Sequence, residues 1–403
     1  MARRPEGGTH CLMTNNEPVW NESVMPSRRR FLSDTGSGLI LAGGAMSCAR
    51  SQEKQVPQYQ LFRVEGTHRE MGRQHGEQAS KQIRTHVELI GRSREQLRTQ
   101  AALFKPLFEK YCPHLLDEIT GLGEGAGITL AEALAVNIRG ELRKATPEGC
   151  TTYVIGRRGT ANRQILAGQN SDMGQTSIDL GYVLHLKPKA KPQVLIWTFG
   201  GMIGYHGMNS AGVAIFENAL SENGEVPRGR FAMPHYPVKR MILESSSVET
   251  ALGLFEKIPL ASNKNYVMCD GSGAILDVET TTAGPEVLRD RGDGFLAHSN
   301  HFVCSKYANK EKEDTLVVDS RKRFERIHQL IRADFGSLTV DRMKAHLSDH
   351  SGHPTSICRH AQAPAPESMR TVASIIAEPA ARRMHVALGN PCNSRYATYS
   401  MDA

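Results

Sequence analysis

The chain has 403 residues, 39% of them hydrophobic, and a formal net charge of +7. That length supplies a sizeable core and a soft expectation of two or three domains. The excess charge is spread thinly, with no basic patch interleaved with aromatics, so it reads as solubility and not as a nucleic-acid surface. Eight cysteines show neither metal-type spacing nor a dense framework, so neither a zinc site nor a disulfide scaffold is indicated; no cofactor is expected.

Residues 1–57 read as an export signal and flexible leader. Ser27-Arg28-Arg29-Arg30-Phe31-Leu32 has the form of a twin-arginine signal, and a short, weakly apolar stretch runs from Gly38 to Met46. The stretch is too short to cross a bilayer as a helix, and Asp34 and the glycines leave it poorly apolar. The long run ahead of Pro26 makes Met25 a candidate start. Ala45-Met46-Ser47-Cys48 has the outline of a lipoprotein cleavage box, with Ala45 where a Leu is usual, so Cys48 is a candidate lipid anchor. A periplasmic protein is expected; a disordered basic tail is the alternative.

From Gln58 to Val64 the chain reads as a strand, and Gly66-Thr67-His68-Arg69-Glu70-Met71-Gly72 leads into a helical segment. Ile83, Val87, Ile90 and Leu97 recur at helical spacing. Further helix is expected from Ala101 to Leu122 and from Leu130 to Leu142, with Thr129 and Glu132 as a capping box. His75 lies alone on the first helix, where a histidine is more often structural than catalytic. Gly121, Gly123, Gly125 and Gly127 read as a glycine-rich turn, but it lacks the Lys-Ser/Thr of a phosphate loop and no strand leads into it.

Beyond residue 148 the pattern changes to short strands. Cys150 to Ile155 suits a pleated, half-buried surface, Arg157 to Asn162 is a turn, and Gln164 to Ala167 starts a returning strand. Such a hairpin brings Asp172 back near Cys150. More strands are expected at Tyr182–Leu186, Val194–Phe199, Val213–Phe216, Tyr266–Met268, Ala274–Val278, Phe295–His298, Val372–Ala377 and Met384–Leu388. A helical interval covers Pro237 to Lys257, with Ser246 and Glu249 as its capping box, and a second covers Asp319 to Ala333, with Phe324, Ile327, Leu330 and Ile331 on one stripe. Runs of strands separated by runs of helices imply an α+β protein of layered sheets and helices. On its own, Cys150 in a Gly-Cys-Thr sequence reads first as a buried core thiol, and only the wider likeness reverses that.

The stretch Glu148-Gly149-Cys150-Thr151-Thr152-Tyr153, with Gln169-Asn170-Ser171-Asp172 after it, resembles the processing site of the acyl-coenzyme A:6-aminopenicillanate acyltransferase family of N-terminal nucleophile hydrolases. The likeness continues through Gly207 to Val213, Asn218-Ala219-Leu220, His298-Ser299-Asn300-His301 and Ser356-Ile357-Cys358-Arg359. It implies a four-layer αββα sandwich, with residues 58–149 a largely helical propeptide or α-chain and residues 150–403 the catalytic β-chain. It further implies that the precursor cuts itself between Gly149 and Cys150 and yields two associated chains.

The chemistry follows from the cut. A thiolate is the reactive form of cysteine, and a new α-amino group, titrating near ~7.7–8.0, places a base on the nucleophile's own residue. Gly149 suits the attack because it has no side chain to obstruct it. The resemblance assigns Cys150 as nucleophile, Asp172 as the residue orienting its amine, Asn300 as oxyanion donor, and Asn218 and Arg370 as substrate contacts. Met369 stands where the penicillin-forming branch of the family has a serine, which weakens penicillin acyl transfer as the activity. The expected substrate is a small N-acyl amide or acyl thioester. An acyl-coenzyme A-dependent N-acyltransferase, an uncut thiol protease pairing Cys150 with His298 or His301, and a silent binding protein are the alternatives.

Overall fold

The computed structural model describes residues 57–142, 149–362 and 368–402. The expectations on Arg28, Arg29 and Cys48 lie outside the described residues, and so does Glu148. Strand β1 (Leu61–Gly66) leads into six helices: α1 (His68–Gln78), α2 (Ser80–Ile90), α3 (Arg94–Tyr111), α4 (Pro113–Ala126), α5 (Leu130–Asn137) and α6 (Arg139–Leu142). The sequence reading expected fewer and longer helices, and the breaks have local causes. Gly91 takes a left-handed φ of 66° and Ser93 starts a new capping box with Gln96; Pro113 opens α4 because it cannot continue α3. The Thr129–Glu132 capping box is present as expected.

The supposed glycine-rich turn is instead part of α4, which ends only at Gly127 (φ 67°). Its glycines serve close packing. A Cβ on Gly121 or Gly125 meets the Arg69 or Arg73 carbonyl oxygen at 2.1 or 2.0 Å, and one on Gly72 or Gly76 meets the Glu118 or Leu122 carbonyl oxygen at 1.9 or 2.3 Å. Helices α1 and α4 therefore touch backbone to backbone, a distance only glycine allows. His75 is buried there, with Nε2 2.6 Å from the Tyr182 hydroxyl, and burial lowers its pKa to about 4. That is the structural role expected of it.

The chain continues through β2 (Gly149–Ile155), β3 (Leu166–Met173), α7 (Thr176–Leu180), β4 (Gly181–Pro188), β5 (Val194–Phe199), β6 (His206–Asn209), β7 (Ala214–Ala219), α8 (His235–Leu243), α9 (Val248–Lys257), β8 (Lys264–Cys269), β9 (Ile275–Thr281), β10 (Gly284–Arg289) and β11 (Phe295–His298). It ends with α10 (Ser305–Ala308), α11 (Thr315–Ala333), α12 (Val340–Leu347), β12 (Arg370–Glu378), β13 (Arg383–Leu388) and β14 (Tyr396–Ser400). Strands β6, β10 and β14 carry no clear alternation, and the sequence reading missed them. The helical interval at 237–257 is two helices, and the cap of the second is Ser247, which accepts from Thr250 N–H; Ser246 plays no such part.

Two sheets form. One has eight strands in the order β1-β4-β5-β6-β7-β8-β9-β10, and the other six in the order β11-β2-β3-β12-β13-β14. Every pairing between the named strands is antiparallel except β1 with β4. The sheets pack face to face where β2 and β3 meet β7. Helices α8 and α9 cover the outer face of the larger sheet, and α11 and α12 that of the smaller. The result is a four-layer αββα sandwich of α+β class. Strand β2 is buried along its whole length, in keeping with its place inside the smaller sheet.

Candidate active site

Strand β2 pairs antiparallel with β3 so that Gly149 faces Asp172, Cys150 faces Ser171 and Thr151 faces Asn170. Side chains alternate across a strand, so Gly149, Thr151 and Asp172 share the face toward the helices. Cys150, Thr152 and Ser171 share the face toward the larger sheet. The hairpin thus brings Asp172 beside Cys150, as the spacing predicts. Cys150 is 6% exposed.

On its other edge β2 pairs with β11, but the pairing stops at Thr152 opposite His298. The backbone of Cys150 lies beyond it, and side chains take the place of the missing strand. Cys150 N–H donates to Asn300 Oδ1 (2.8 Å), and Arg323 Nη1 donates to the Cys150 carbonyl oxygen. Arg323 also donates to Thr151 Oγ1 (3.1 Å) and to Asn300 Oδ1 (2.8 Å). Asn300 is fixed in turn: its N–H donates to Ser320 Oγ (2.6 Å) and its Nδ2 to the Ala219 carbonyl oxygen (3.0 Å).

Asp172 accepts from Thr371 Oγ1 at 2.7 Å, and its second oxygen lies 3.4 Å from Arg359 Nε. Arg359 also pairs with Asp319, which lies 3.4 Å from Arg323 Nε. Two carboxylates and two guanidiniums form one buried, charge-balanced chain beneath Gly149. Burial raises the Asp172 pKa, against the lowering effect of Arg359 and Arg323, to about 6. A Cβ on Gly149 would sit 2.9 Å from Met369 Sδ and 3.2 Å from Asp172 Oδ2, so these two side chains pack closely over the glycine.

Toward the larger sheet, Asn218 Nδ2 donates to Thr152 Oγ1 (2.9 Å) and to the Ser299 carbonyl oxygen (2.7 Å), tying β7 to β2 and to the segment after β11. Its Oδ1 accepts no hydrogen bond among the described residues. Ser171 Oγ lies 3.5 Å from His206 Nδ1. Arg370 donates to Gln175 Oε1 and Asn390 Oδ1, both at 2.7 Å, at the end of β12 that pairs with Met173.

Neither histidine of the thiol-protease alternative is placed as a base. His298 Nδ1 lies 2.9 Å from the Ser299 carbonyl oxygen and Nε2 2.9 Å from Glu279 Oε1, so both nitrogens are donors. Burial alone lowers its pKa, but Asp277 and Glu279 outweigh that and raise it to about 9. His301 is engaged through Nδ1 with Ser320 Oγ (2.8 Å), and burial, with His298 beside it, holds its pKa well below the usual value.

The sequence reading missed Arg323 as a site residue. Its signal was its position, because Arg323, Ile327 and Ile331 recur every four residues on the buried face of α11, with Asp319 one turn earlier.

The four-layer αββα sandwich is the fold of the N-terminal nucleophile hydrolases, a class of acyl-transferring and amide-hydrolysing enzymes. Residues 158–393 match the family acyl-coenzyme A:6-aminopenicillanic acid acyl-transferase, and the chain belongs to that family. The matched residues begin after Gly149 and Cys150. A similar protein is the acyl-coenzyme A:6-aminopenicillanic-acid-acyltransferase 40 kDa form of Emericella nidulans, 27% identical over 346 residues, which cover 82% of this chain and 92% of that one. Among solved structures, a variant of conjugated bile acid hydrolase from Clostridium perfringens has TM-score 0.43 and 16% identity, over 62% of this chain and 97% of its own. Penicillin V acylase from Agrobacterium tumefaciens has TM-score 0.40 and 12% identity, over 63% and 86%. Likeness this remote carries no information on substrate.

Proposed function

We propose that the chain cuts itself between Gly149 and Cys150, and that the freed Cys150 is the nucleophile of an N-acyl amide hydrolase. The observation that carries this is the side-chain grip on the two peptide groups flanking Cys150, where the sheet no longer pairs. Asn300 and Arg323 hold the N–H and carbonyl of Cys150, and Asp172 stands opposite Gly149.

In the cut, Cys150 Sγ adds to the Gly149 carbonyl carbon and the peptide nitrogen leaves with the thiol proton. Water then opens the thioester, giving a Gly149 carboxylate, a thiol and an α-amine. The neutral amine takes the thiol proton, and the thiolate attacks a substrate amide. The acyl group passes to sulfur, the substrate amine leaves protonated, and water releases the acid. Asn300 Nδ2, which donates to Ala219 in the uncut chain, is the donor for the oxyanion. Asp172 holds the new ammonium.

Hydrolysis is preferred over transfer for two reasons. Water is always present, whereas a competing amine must be held in place, and Met369 packs against Gly149 where a hydroxyl could assist an acceptor. Export by Arg28 and Arg29 would also separate the enzyme from cytosolic coenzyme A thioesters; a double lysine replacement should keep the protein in the cytoplasm, and fatty-acid labelling tests Cys48.

The deciding experiment is a denaturing gel of purified protein, with Edman sequencing of the larger fragment. Two chains, one beginning Cys-Thr-Thr-Tyr, are expected; a chain intact after prolonged incubation removes self-cleavage. The processed protein is then offered N-acyl amino acids, N-acyl lactones and penicillins, and separately acyl-coenzyme A with amines. Efficient amine acylation without any amide cleavage refutes the hydrolase reading.

A further inference from the structure

Four metal-type ligands from three stretches of the chain meet near the start of β12 and the end of β13. His350 follows α12, Cys358 and His360 lie before β12, and Cys392 lies between β13 and β14. His350 Nε2 and His360 Nε2 are 3.0 Å apart, and the two sulfurs 3.6 Å. His360 Nε2 is 3.8 Å from Cys358 Sγ and 3.3 Å from Cys392 Sγ. All four ligand atoms lie within 4.8 Å of one another. Zinc bonds of about 2.3 Å to sulfur and 2.0–2.1 Å to nitrogen give a tetrahedron with edges of about 3.3–3.8 Å. These four spacings lie within a few tenths of an ångström of those edges, and the two from His350 to the sulfurs are within 4.8 Å.

We propose that His350, Cys358, His360 and Cys392 form a Cys2His2 site for a zinc-type divalent cation. Binding releases the two thiol protons to solvent, and two thiolates then balance the charge of the ion while both imidazoles stay neutral. Four protein ligands close the tetrahedron, so the site is structural and not catalytic. A supporting donor is in place: Asn390 Nδ2 is 3.5 Å from Cys358 Sγ and 2.6 Å from the Arg359 carbonyl oxygen. Such outer contacts orient and tune ligands.

The placement explains what the ion does for this fold. Arg359 lies between ligands Cys358 and His360, and its guanidinium pairs with Asp172 and Asp319. The cation clamps this segment to the turn carrying Cys392, and so fixes the arginine beneath Gly149. Sequence spacing conceals the site, because Cys392 lies 34 positions beyond Cys358.

The test is metal analysis of the full-length protein purified under reducing conditions without chelator, followed by exchange with cobalt(II). One equivalent of zinc per chain and thiolate-to-cobalt charge-transfer absorption are expected. Cys392→Ser and His350→Ala, both at exposed positions, should each weaken cobalt affinity by at least about tenfold, with circular dichroism confirming that the variants are folded. The site is refuted by a reduced protein that binds no stoichiometric zinc or cobalt. It is equally refuted by undiminished binding in both folded variants, or by a Cys358–Cys392 disulfide in the protein as isolated.

Discussion

On the helix-facing side of β2, Gly149 and Thr151 lie against Arg323, Asp172, Arg359 and Asp319, a buried chain of alternating charge. On the sheet-facing side, Thr152 and Ser171 meet an amide and an imidazole, Asn218 and His206. Burial lowers the His206 pKa to about 4, so these two groups are uncharged around pH 7, and the nearest ion is Glu217, 3.6 Å from His206 Nε2 and paired with Lys239 and Lys264. The two faces divide the work. Charges in a low-dielectric interior interact strongly and hold geometry firmly, which suits the side that grips the peptide.

Experiments can break this division, and the largest effect belongs to the thiol. Cys150→Ala should leave one folded chain with no amide hydrolysis; two fragments on a gel would assign the cut to something else. Arg323→Met tests the charged face. It leaves Asp319 with one arginine fewer and the Cys150 carbonyl without its donor, and the expected destabilisation is about 3–5 kcal/mol. Urea unfolding in the Cys150→Ala background measures it without interference from cleavage, and a loss below about 1 kcal/mol, the range of an exposed pair, would show that the charges do little holding. Asn300→Ala should lower kcat by roughly 10²–10³ through loss of one oxyanion donor. Wild-type turnover would remove Asn300 from the catalytic machinery.

The difference between the faces also explains what the sequence revealed. Strand β2 and its return were readable because Thr151 to Ile155 and Leu166 onward favour strands, and the register placed Asp172 beside Cys150. The glycines of α4 misled, since a turn and a close helix contact use the same residue and only the partner backbone tells them apart. Arg323 was hidden among Arg321, Lys322 and Arg326. Its ion partner one turn away is legible, but its grip on Cys150 spans 173 positions and exists only after folding. Asn300 and Asn218 were visible only through resemblance, because an asparagine in a strand-end segment more often serves a turn.

The smallest effect expected is a pH dependence, and it asks whether burial or ion pairing governs the charged face. In the uncut chain Asp172 is raised from 3.8 to about 6, because burial outweighs Arg359 and Arg323. Below the unfolded value both states carry the proton. Between about 4 and 6 the folded chain keeps a proton that the unfolded chain has lost, so stability from this group falls as pH rises. Above about 6 the loss is complete, on the order of 3 kcal/mol for a shift of this size. Asp172→Asn cannot titrate and mimics the protonated acid in shape. Both proteins, made in the Cys150→Ala background, are unfolded in urea from pH 4 to pH 8. The parent-minus-variant difference should fall across the lower half of that range and then stay flat, because Asp277, His298 and other titrating groups common to both largely cancel. A difference that rises with pH would mean the guanidiniums hold Asp172 ionised. The charged face would then stabilise a carboxylate before any ammonium exists, instead of waiting for the cut to supply one.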